Sequence, residues 1–250
     1  MVTTLYLIRH GETIGSEVKR YKGSLDVPLS ETGIAQIKEV SVFIANKLRL
    51  SGITKYKSYL NDIHVSFPHV PDNKESMLSA VYCSNLSRAL RSAEIIAGPY
   101  GLQPLVVPDL RERNFGVWEG MTFNEIKDQY PSEFESWASD PLKYSPVNGE
   151  STTEVCGRAI RALDGIVSKH AAENPDRQAS DNQGPAESIA IVAHGGVNRI
   201  ILCYLMGVPL ENIFRIEQDS AAVNIIEFWG RYPVIKLLNY SIGDLRNNVS

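Results

Sequence analysis

Two short apolar runs that each end in His-Gly constrain this chain more than any other feature. Residues 5–8 are Leu-Tyr-Leu-Ile and lead directly into Arg9 and His10, which a glycine follows. Near the other end, residues 189–193 are Ile-Ala-Ile-Val-Ala and lead into His194 and two glycines. Runs of this kind predict buried strands, and open parallel α/β sheets bind ligands outside the carboxyl ends of their strands. We therefore expect both histidines to face one pocket.

Length and hydrophobic content indicate the fold class. A chain of 250 residues with 43% hydrophobic residues can bury one large core. The alternation of strand and helix signals favours a single domain over residues 1–250, built as a three-layer α/β/α sandwich with a mostly parallel central sheet. A polar insertion is expected at about residues 51–78, and a solvated surface loop at about residues 174–187.

Charge, apolar runs and cysteines argue against several classes of protein. The net charge of −4 argues against a nucleic-acid partner. The apolar run at the N-terminus is too short for a signal peptide and no run is long enough to cross a membrane, so we predict a cytoplasmic protein. Cys83, Cys156 and Cys203 lie within apolar patterns and are interpreted as reduced core residues. The sequence does not decide between a monomer and a homodimer.

Helix and strand signals bring further polar residues to the same edge of the sheet. A helix is predicted from the N-cap Ser30 to about residue 50, and strands are predicted at residues 80–83 and 105–107. Arg88 falls in the first turn of the helix after the second strand, where backbone N–H groups favour an anion. An ordinary surface arginine explains this segment equally well. Glu112 follows the third strand and fits either a catalytic carboxylate or a simple ion pair.

The second half of the chain continues the same alternation. Ser151 and Glu154 form a capping-box sequence, which predicts the start of a long amphipathic helix. The other predicted elements are short helices at residues 122–130 and from Pro131, a helix at residues 197–206, and closing strands at residues 222–228 and 234–238.

The residues that converge on this sheet edge suit a phosphoryl group. Guanidinium forks such as those of Arg9 and Arg88 match phosphate oxygens bidentately, and a Lys-rich loop after Glu12 raises the local anion concentration. The chain has neither a Lys-Ser/Thr phosphate loop nor a dinucleotide fingerprint, which disfavours nucleotide hydrolysis by that route. It also has no Gly-x-Ser-x-Gly sequence, which disfavours a serine hydrolase.

A metal site is the chemical alternative. His64 and His69 in the predicted insertion are interpreted as surface histidines, because no carboxylate or cysteine stands at a ligand spacing beside them. A site built on His10 and His194 is disfavoured because Arg9 would repel a cation. We predict no metal and no other cofactor.

Several segments together resemble the histidine phosphatase superfamily, which has the phosphoglycerate-mutase-like fold. They are Arg9-His10-Gly11-Glu12-Thr13, Gly23 with Asp26, residues 29–33, residues 84–89, Leu110-Arg111-Glu112 and Val192-Ala193-His194-Gly195. The resemblance covers nearly the whole chain apart from the insertion and the surface loop. It implies that His10 is the phosphate-accepting nucleophile. It also implies that Arg9, Arg88 and His194 bind the phosphoryl oxygens, and that Glu112 is the proton donor.

Within the superfamily, the sequence is more similar to the phosphatase branch, including α-ribazole and broad-specificity phosphatases, than to the mutases. The segments that indicate this branch are residues 115–120, 148–151 and 215–218. Where many relatives carry an asparagine that helps to hold the phosphate, this chain has Ser16, whose shorter side chain must reach further. Ser16 and Gly195 are candidate phosphate-binding residues, and Lys22 and Gly23 are candidates on the substrate side.

The sequence therefore predicts a phosphomonoesterase that hydrolyses a small phosphorylated metabolite through a phosphohistidine. A phosphoglycerate-type mutase and a non-catalytic phospholigand-binding module remain alternatives. Arg111 and Arg113 flank Glu112 and would favour its ionised form, which argues against an acid unless both side chains turn outward. Glu119 and Glu150 are alternative carboxylates.

Overall fold

The computed structural model of this chain describes residues 2–54, 77–172, 187–230 and 232–241. Six strands in this part of the chain form one sheet. They are β1 (Val2–Arg9), β2 (Leu78–Cys83), β3 (Leu105–Val106), β4 (Glu187–Ala193), β5 (Val223–Trp229) and β6 (Tyr232–Tyr240). Their order across the sheet is β3-β2-β4-β1-β5-β6.

The sheet is mostly parallel, as predicted. β1 pairs in parallel with β4, β4 with β2, and β2 with β3. Only β5 and β6 run antiparallel to their neighbours. In the central pair, Arg9 of β1 lies opposite Ala193 of β4. The residues that follow these two, His10 and His194, therefore leave the same edge of the sheet side by side.

Helices cover both faces of the sheet. They are α1 (Glu31–Thr54), α2 (Ser87–Ala97), α3 (Phe123–Gln129), α4 (Pro131–Ser139), α5 (Thr152–Ala172) and α6 (Gly195–Met206). Leu5 and Leu7 of β1 pack with α5 and α6, whereas Tyr6 and Ile8 pack with α1 and α2. This alternation follows from the two-residue period of a strand, and it confirms the three-layer α/β/α sandwich.

The helix and the strand that flank the predicted polar insertion, expected at about residues 51–78, each extend slightly into it. α1 begins after Ser30, whose hydroxyl accepts from the N–H of Gly33 at 3.0 Å as an N-cap should. The helix then continues to Thr54, and β2 already begins at Leu78. The rest of the predicted insertion, with His64 and His69, lies outside the described residues.

Other predicted boundaries differ by a few residues. α6 begins at Gly195, ahead of the predicted start at residue 197, and β3 ends one residue earlier than predicted. Both closing strands extend beyond their predicted ends. Glu187, placed in the predicted surface loop, is the first residue of β4, and the rest of that loop lies outside the described residues. The capping box at Ser151 and Glu154 is confirmed by reciprocal backbone-to-side-chain hydrogen bonds.

The three cysteines are at least partly buried. Cys83 and Cys203 are buried and Cys156 is half-buried, and all three are free thiols. Among the described residues there is no helix with the length and hydropathy needed to cross a membrane.

Candidate active site

His10 and His194 lie side by side at the carboxyl ends of β1 and β4. Their ring centroids are 5.0 Å apart in an edge-to-face arrangement. His10 is 8% exposed and His194 is fully buried. The parallel pairing of the two strands explains this proximity. That both histidines face one ligand pocket stays a prediction.

A backbone contact determines which nitrogen of His10 is free. Nδ1 of His10 lies 2.7 Å from the carbonyl oxygen of Gly11. A carbonyl oxygen can only accept a hydrogen bond, so Nδ1 carries the proton and Nε2 keeps its lone pair. Nε of Arg88 donates to this Nε2 atom at 3.3 Å. The unprotonated nitrogen of His10 therefore faces a cationic donor.

Both histidines are held in the neutral form. Burial lowers the pKa of His10 well below its ordinary value, and the charges of Arg9 and Arg88 lower it further. Burial likewise lowers the pKa of His194, with neighbouring charges adding to the effect. Neither ring nitrogen of His194 has a hydrogen-bond partner among the described residues. An imidazole buried in this way needs an acceptor or a donor from a ligand or from water.

Arg88 is buried beside His10, so the alternative of an ordinary surface arginine is wrong. Its exposed fraction is 2%. Nη1 and Nη2 donate to the carbonyl oxygens of Leu25 and Gly23, each at 2.6 Å. Asp26 accepts from the N–H of Ser87 at 2.8 Å and ties the same loop to the start of α2. The loop after His10 and the first turn of α2 are therefore joined by hydrogen bonds beside Arg88.

Arg9 lies against the first turn of α6. Nη1 of Arg9 donates to the carbonyl oxygen of Gln218 at 2.5 Å, while Nε has no partner among the described residues. A Cβ atom at Gly195 would lie only 3.3 Å from that Nε atom. A glycine at this position lets the guanidinium approach the helix closely. Direct phosphate binding by Gly195 stays a prediction.

The carboxylate of Glu112 rests on the N-terminus of the same helix. Oε2 accepts from the N–H of Gly196 at 3.0 Å, and Oε1 accepts from the N–H of Arg113 at 3.0 Å. A Cβ atom at position 196 would come within 2.6 Å of Oε1, so only glycine permits this contact. Because Gly196 is two residues from His194, the carboxylate lies beside the histidine pair.

The two arginines that flank Glu112 turn away from its side chain. Nη2 of Arg111 pairs with Oε1 of Glu150 at 2.8 Å. Nε of Arg113 donates to the carbonyl oxygen of Glu150 at 2.6 Å, and Nη2 donates to that of Tyr144 at 3.0 Å. The outward orientation that a proton donor at residue 112 requires is therefore present.

The alternative carboxylates are engaged in structural contacts. Oε1 of Glu119 accepts from the N–H and the hydroxyl of Ser24 at 2.6 and 2.7 Å, which joins the loop after His10 to the loop after Glu112. Glu150 accepts from Arg158, Arg111 and a backbone N–H. The role of Glu112 as proton donor stays a prediction.

Ser16, Lys22 and Gly23 lie in the loop that follows His10. Nζ of Lys22 donates to the hydroxyls of Thr13 and Ser16 at 2.7 and 3.2 Å. Burial lowers the pKa of Lys22, and the positive charge of Arg88 lowers it further. Gly23 has a φ of 49°, and a Cβ atom there would lie 2.5 Å from Oε1 of Glu119. Gly23 thus lets this loop approach Glu119 closely. The substrate-side roles of Lys22 and Gly23 and phosphate binding by Ser16 stay predictions.

Three residues of this region were not predicted from the sequence. Gln218 supplies the carbonyl oxygen that Arg9 binds, and Arg158 contacts the segment that carries Glu112. Asn198 on α6 is fully buried, and neither atom of its amide has a partner among the described residues. A polar residue within the apolar run of this helix was the available signal for Asn198. The described residues contain no group of three or more His, Cys, Asp or Glu side chains able to hold a metal ion.

The comparison with protein families decides the family of this chain. The model of the histidine phosphatase superfamily (branch 1) matches residues 5–61 and 73–241. The chain belongs to the histidine phosphatase superfamily. The resemblance inferred from the sequence motifs is therefore confirmed, and with it the expectation of an enzyme that acts on phosphate monoesters.

Individual relatives in this superfamily are named as phosphatases. Phosphoserine phosphatase 1 of Hydrogenobacter thermophilus is 28% identical over 94% of this chain and 91% of its own length. The adenosylcobalamin/α-ribazole phosphatase of Salmonella typhimurium is 25% identical over 94% of this chain and 95% of its own length. The crystal structure of the α-ribazole phosphatase from Shigella flexneri superposes with a TM-score of 0.71 at 23% identity, covering 95% of this chain and 96% of that one. That superposition confirms the fold.

Proposed function

We propose that this chain hydrolyses a small phosphorylated metabolite through a phosphohistidine formed on His10. The observation that carries the proposal is the state of the His10 ring. Its Nδ1–H group is fixed by the Gly11 carbonyl, so the Nε2 atom is unprotonated and accepts from Nε of Arg88. Burial and the neighbouring arginines keep the ring neutral, and a neutral imidazole is the nucleophilic form.

Arg9, Arg88 and His194 form the phosphate-binding part of this mechanism. Nε of Arg9 and both ring nitrogens of His194 are buried without partners among the described residues. Leaving a buried polar group unpaired costs about 1–3 kcal/mol, so a ligand that supplies acceptors is favoured there. A phosphoryl group supplies three oxygens and a negative charge that the guanidinium groups match.

The reaction proceeds in two displacements. In the first, Nε2 of His10 forms a bond to phosphorus while the bond to the leaving oxygen breaks, and Glu112 gives its proton to that oxygen. In the second, Glu112 takes a proton from a water molecule as the water oxygen attacks phosphorus and the P–N bond breaks. Inorganic phosphate leaves and Glu112 is protonated again, so the cycle is balanced without a further reactant.

Trapping the intermediate tests this mechanism. Rapid quenching with labelled substrate should give a chain that carries phosphate in an acid-labile, base-stable form, as expected of a P–N bond. His10→Ala should carry no label. His170→Gln is the matched control, because His170 is also buried but contacts Tyr82 and Glu187 instead of the pocket. Label that persists in His10→Ala, or that is absent from His170→Gln, would contradict the assignment.

A second experiment separates the phosphatase from a phosphoglycerate-type mutase. Incubation with 3-phosphoglycerate and catalytic 2,3-bisphosphoglycerate should release inorganic phosphate faster than it forms 2-phosphoglycerate. Faster formation of 2-phosphoglycerate would support the mutase instead. The relatives named as phosphoserine and α-ribazole phosphatases support the hydrolytic alternative. A panel of phosphomonoesters, assayed with and without a chelator, identifies the substrate and tests the prediction that no metal is needed.

The cytoplasmic compartment, the lack of a nucleic-acid partner and the single-domain organisation stay predictions. The compartment rests on the short apolar run at the N-terminus, the lack of a nucleic-acid partner on the net charge of −4, and the single domain on the continuous strand and helix pattern. Light scattering on the purified chain distinguishes a monomer from a homodimer.

A further inference from the structure

Arg158 on α5 is buried, and every N–H group of its guanidinium is used. Its side chain is 6% exposed. Nε and Nη2 donate to the two carboxylate oxygens of Glu150, each at 2.9 Å. The other N–H groups donate to the carbonyl oxygens of Asp109, Arg111 and Glu112 at 2.8, 2.6 and 3.1 Å. A guanidinium has five N–H donors in one plane, so its full donor capacity lies in this cluster.

These carbonyl groups belong to the segment that carries the proton donor. Arg111, Glu112 and Arg113 follow a short 3-10 turn and lie outside any helix or strand, so no regular backbone ladder holds them. The planar guanidinium instead fixes carbonyl groups of this segment relative to α5. At the other end of residue 112, the carboxylate bonds to the N–H of Gly196 on α6. Glu112 is therefore held by its backbone from α5 and by its side chain from α6.

The same cluster keeps the flanking arginines away from the proton donor. Glu150, which anchors Arg158, also pairs with Arg111 and accepts from Arg113 through its backbone carbonyl. Burial lowers the pKa of His194, and the charge of Arg158 adds to that effect. Arg158 thus lies close enough to lower the pKa of His194, although its own N–H groups all donate within the cluster.

We propose that Arg158, anchored by Glu150, is a positioning residue for the proton donor Glu112. This inference rests on the proposed function, because it requires that Glu112 donates a proton to the leaving group. Arg158 acts by fixing where the carboxylate stands relative to the leaving oxygen. A lysine has a single nitrogen in place of the planar fork and cannot bind both Glu150 oxygens and three carbonyls at once.

A double-mutant cycle tests whether Arg158 acts through Glu112. kcat/KM for an alkyl phosphate is measured for the wild type, Arg158→Lys, Glu112→Gln and the combined variant. A misplacement of about 1 Å at a reacting group costs on the order of 10²-fold, so Arg158→Lys should lose about 10- to 100-fold in the wild-type background. In the Glu112→Gln background the same change should lose about 2-fold or less, because the proton donor is already absent.

A purely structural role predicts a different outcome. The loss caused by Arg158→Lys would then be the same in both backgrounds, and this result would overturn the inference. Arg199→Lys is the matched control, because Arg199 also binds a backbone carbonyl, that of Ile216 at 2.7 Å, and a carboxylate, that of Glu217. Any loss in that variant should be independent of Glu112→Gln.

Two further measurements keep the test decisive. Urea unfolding shows whether the Arg158→Lys variant is folded. If that variant is unfolded, Glu150→Gln replaces it in the cycle, because a glutamine removes the charge that anchors Arg158 while retaining the shape of the side chain. A loss that disappears in the Glu112→Gln background supports the inference, and an unchanged loss refutes it. A wild-type chain without phosphatase activity would refute the proposed function instead. An active wild type whose cycle shows no coupling refutes only the positioning role.

Discussion

Nε of Arg88 lies 3.3 Å from Nε2 of His10, so a guanidinium donates to the nitrogen that would attack phosphorus. The contact holds the imidazole in place. In the proposed mechanism, a phosphoryl group bound between the two residues replaces this contact with stronger, charge-assisted bonds to its own oxygens. The charge of Arg88 also opposes protonation of His10. In the proposed mechanism, Arg88 would thus both bind the anion and keep the nucleophile His10 neutral.

Replacing Arg88 should change the protonation of His10. In Arg88→Met the pKa of His10 should rise towards its ordinary value, because one of the charges that lowers it is removed. Arg88→Lys is the control, since it keeps the charge and should leave the pKa of His10 closer to that of the wild type. NMR titration of the histidine ring protons, assigned with His10→Gln, measures the shift. A pKa that is the same in Arg88→Met and the wild type would show that burial alone keeps the ring neutral.

Stability should decrease as the pH falls below the ordinary pKa of histidine. Burial holds the pKa values of His10 and His194 in the folded chain well below the ordinary histidine value of about 6.5, so the unfolded chain binds more protons in mildly acidic solution. This contribution to stability is present above about pH 6.5 and is lost progressively as the pH falls from there towards the folded pKa values. Each histidine contributes a slope of up to about 1.4 kcal/mol per pH unit.

Urea unfolding in phosphate-free buffer between pH 7 and pH 5.5 measures that slope. His194→Gln should have a smaller slope than the wild type, because the variant lacks one group that must be deprotonated on folding. The other titrating groups are common to both proteins and cancel in the comparison. Equal slopes would mean that His194 binds protons in the folded chain as it does in the unfolded chain, despite its burial.

The strand ends and their histidines could be predicted because their signals are local. An apolar run predicts a buried strand, and the edge at which parallel strands end follows from topology. Fold class, the adjacency of His10 and His194, and the pocket position of Arg88 all followed from such signals together with the family resemblance. Element ends were less accurate, because the polar start of the predicted insertion does not prevent α1 from continuing to Thr54.

Contacts to distant backbone atoms could not be predicted. Arg9 binds the carbonyl oxygen of Gln218, 209 residues away in the sequence. Arg88 and Arg158 likewise bind backbone carbonyls. Every residue carries a carbonyl group, so the sequence has no signal for which one is used. The same reason applies to Arg113, which binds the carbonyl oxygens of Glu150 and Tyr144, so its outward orientation could be stated only as a requirement.

The unpaired amide of Asn198 should reduce stability. It is fully buried on α6, and neither of its polar atoms has a partner among the described residues. Asn198→Leu, of similar shape, should raise the free energy of unfolding by about 1 kcal/mol, because no unpaired polar group remains. Asn224→Leu is the control and should lower it by about 1–3 kcal/mol, since Asn224 bonds to Leu7 and Gln218. A loss of stability in Asn198→Leu would reveal a bound water or ligand on the amide.

Replacement of Glu112 should have an effect that depends on the leaving group. A general acid typically contributes about 10²- to 10⁴-fold when the leaving oxygen needs a proton. An alkoxide needs that proton, whereas 4-nitrophenolate is already stable near neutral pH. Glu112→Gln should therefore lower kcat/KM severely for an alkyl phosphate and far less for 4-nitrophenyl phosphate, while inorganic phosphate still inhibits competitively. Removal of charge alone would lower kcat/KM by a similar factor for both substrates, because both present the same dianion.

Glu119→Gln is the matched control, because the carboxylate of Glu119 accepts a hydrogen bond from the N–H of Ser24. Its effect on kcat/KM should be similar for both esters. Equal losses in Glu112→Gln, or a leaving-group-dependent loss in Glu119→Gln, would place the proton donor on a different residue.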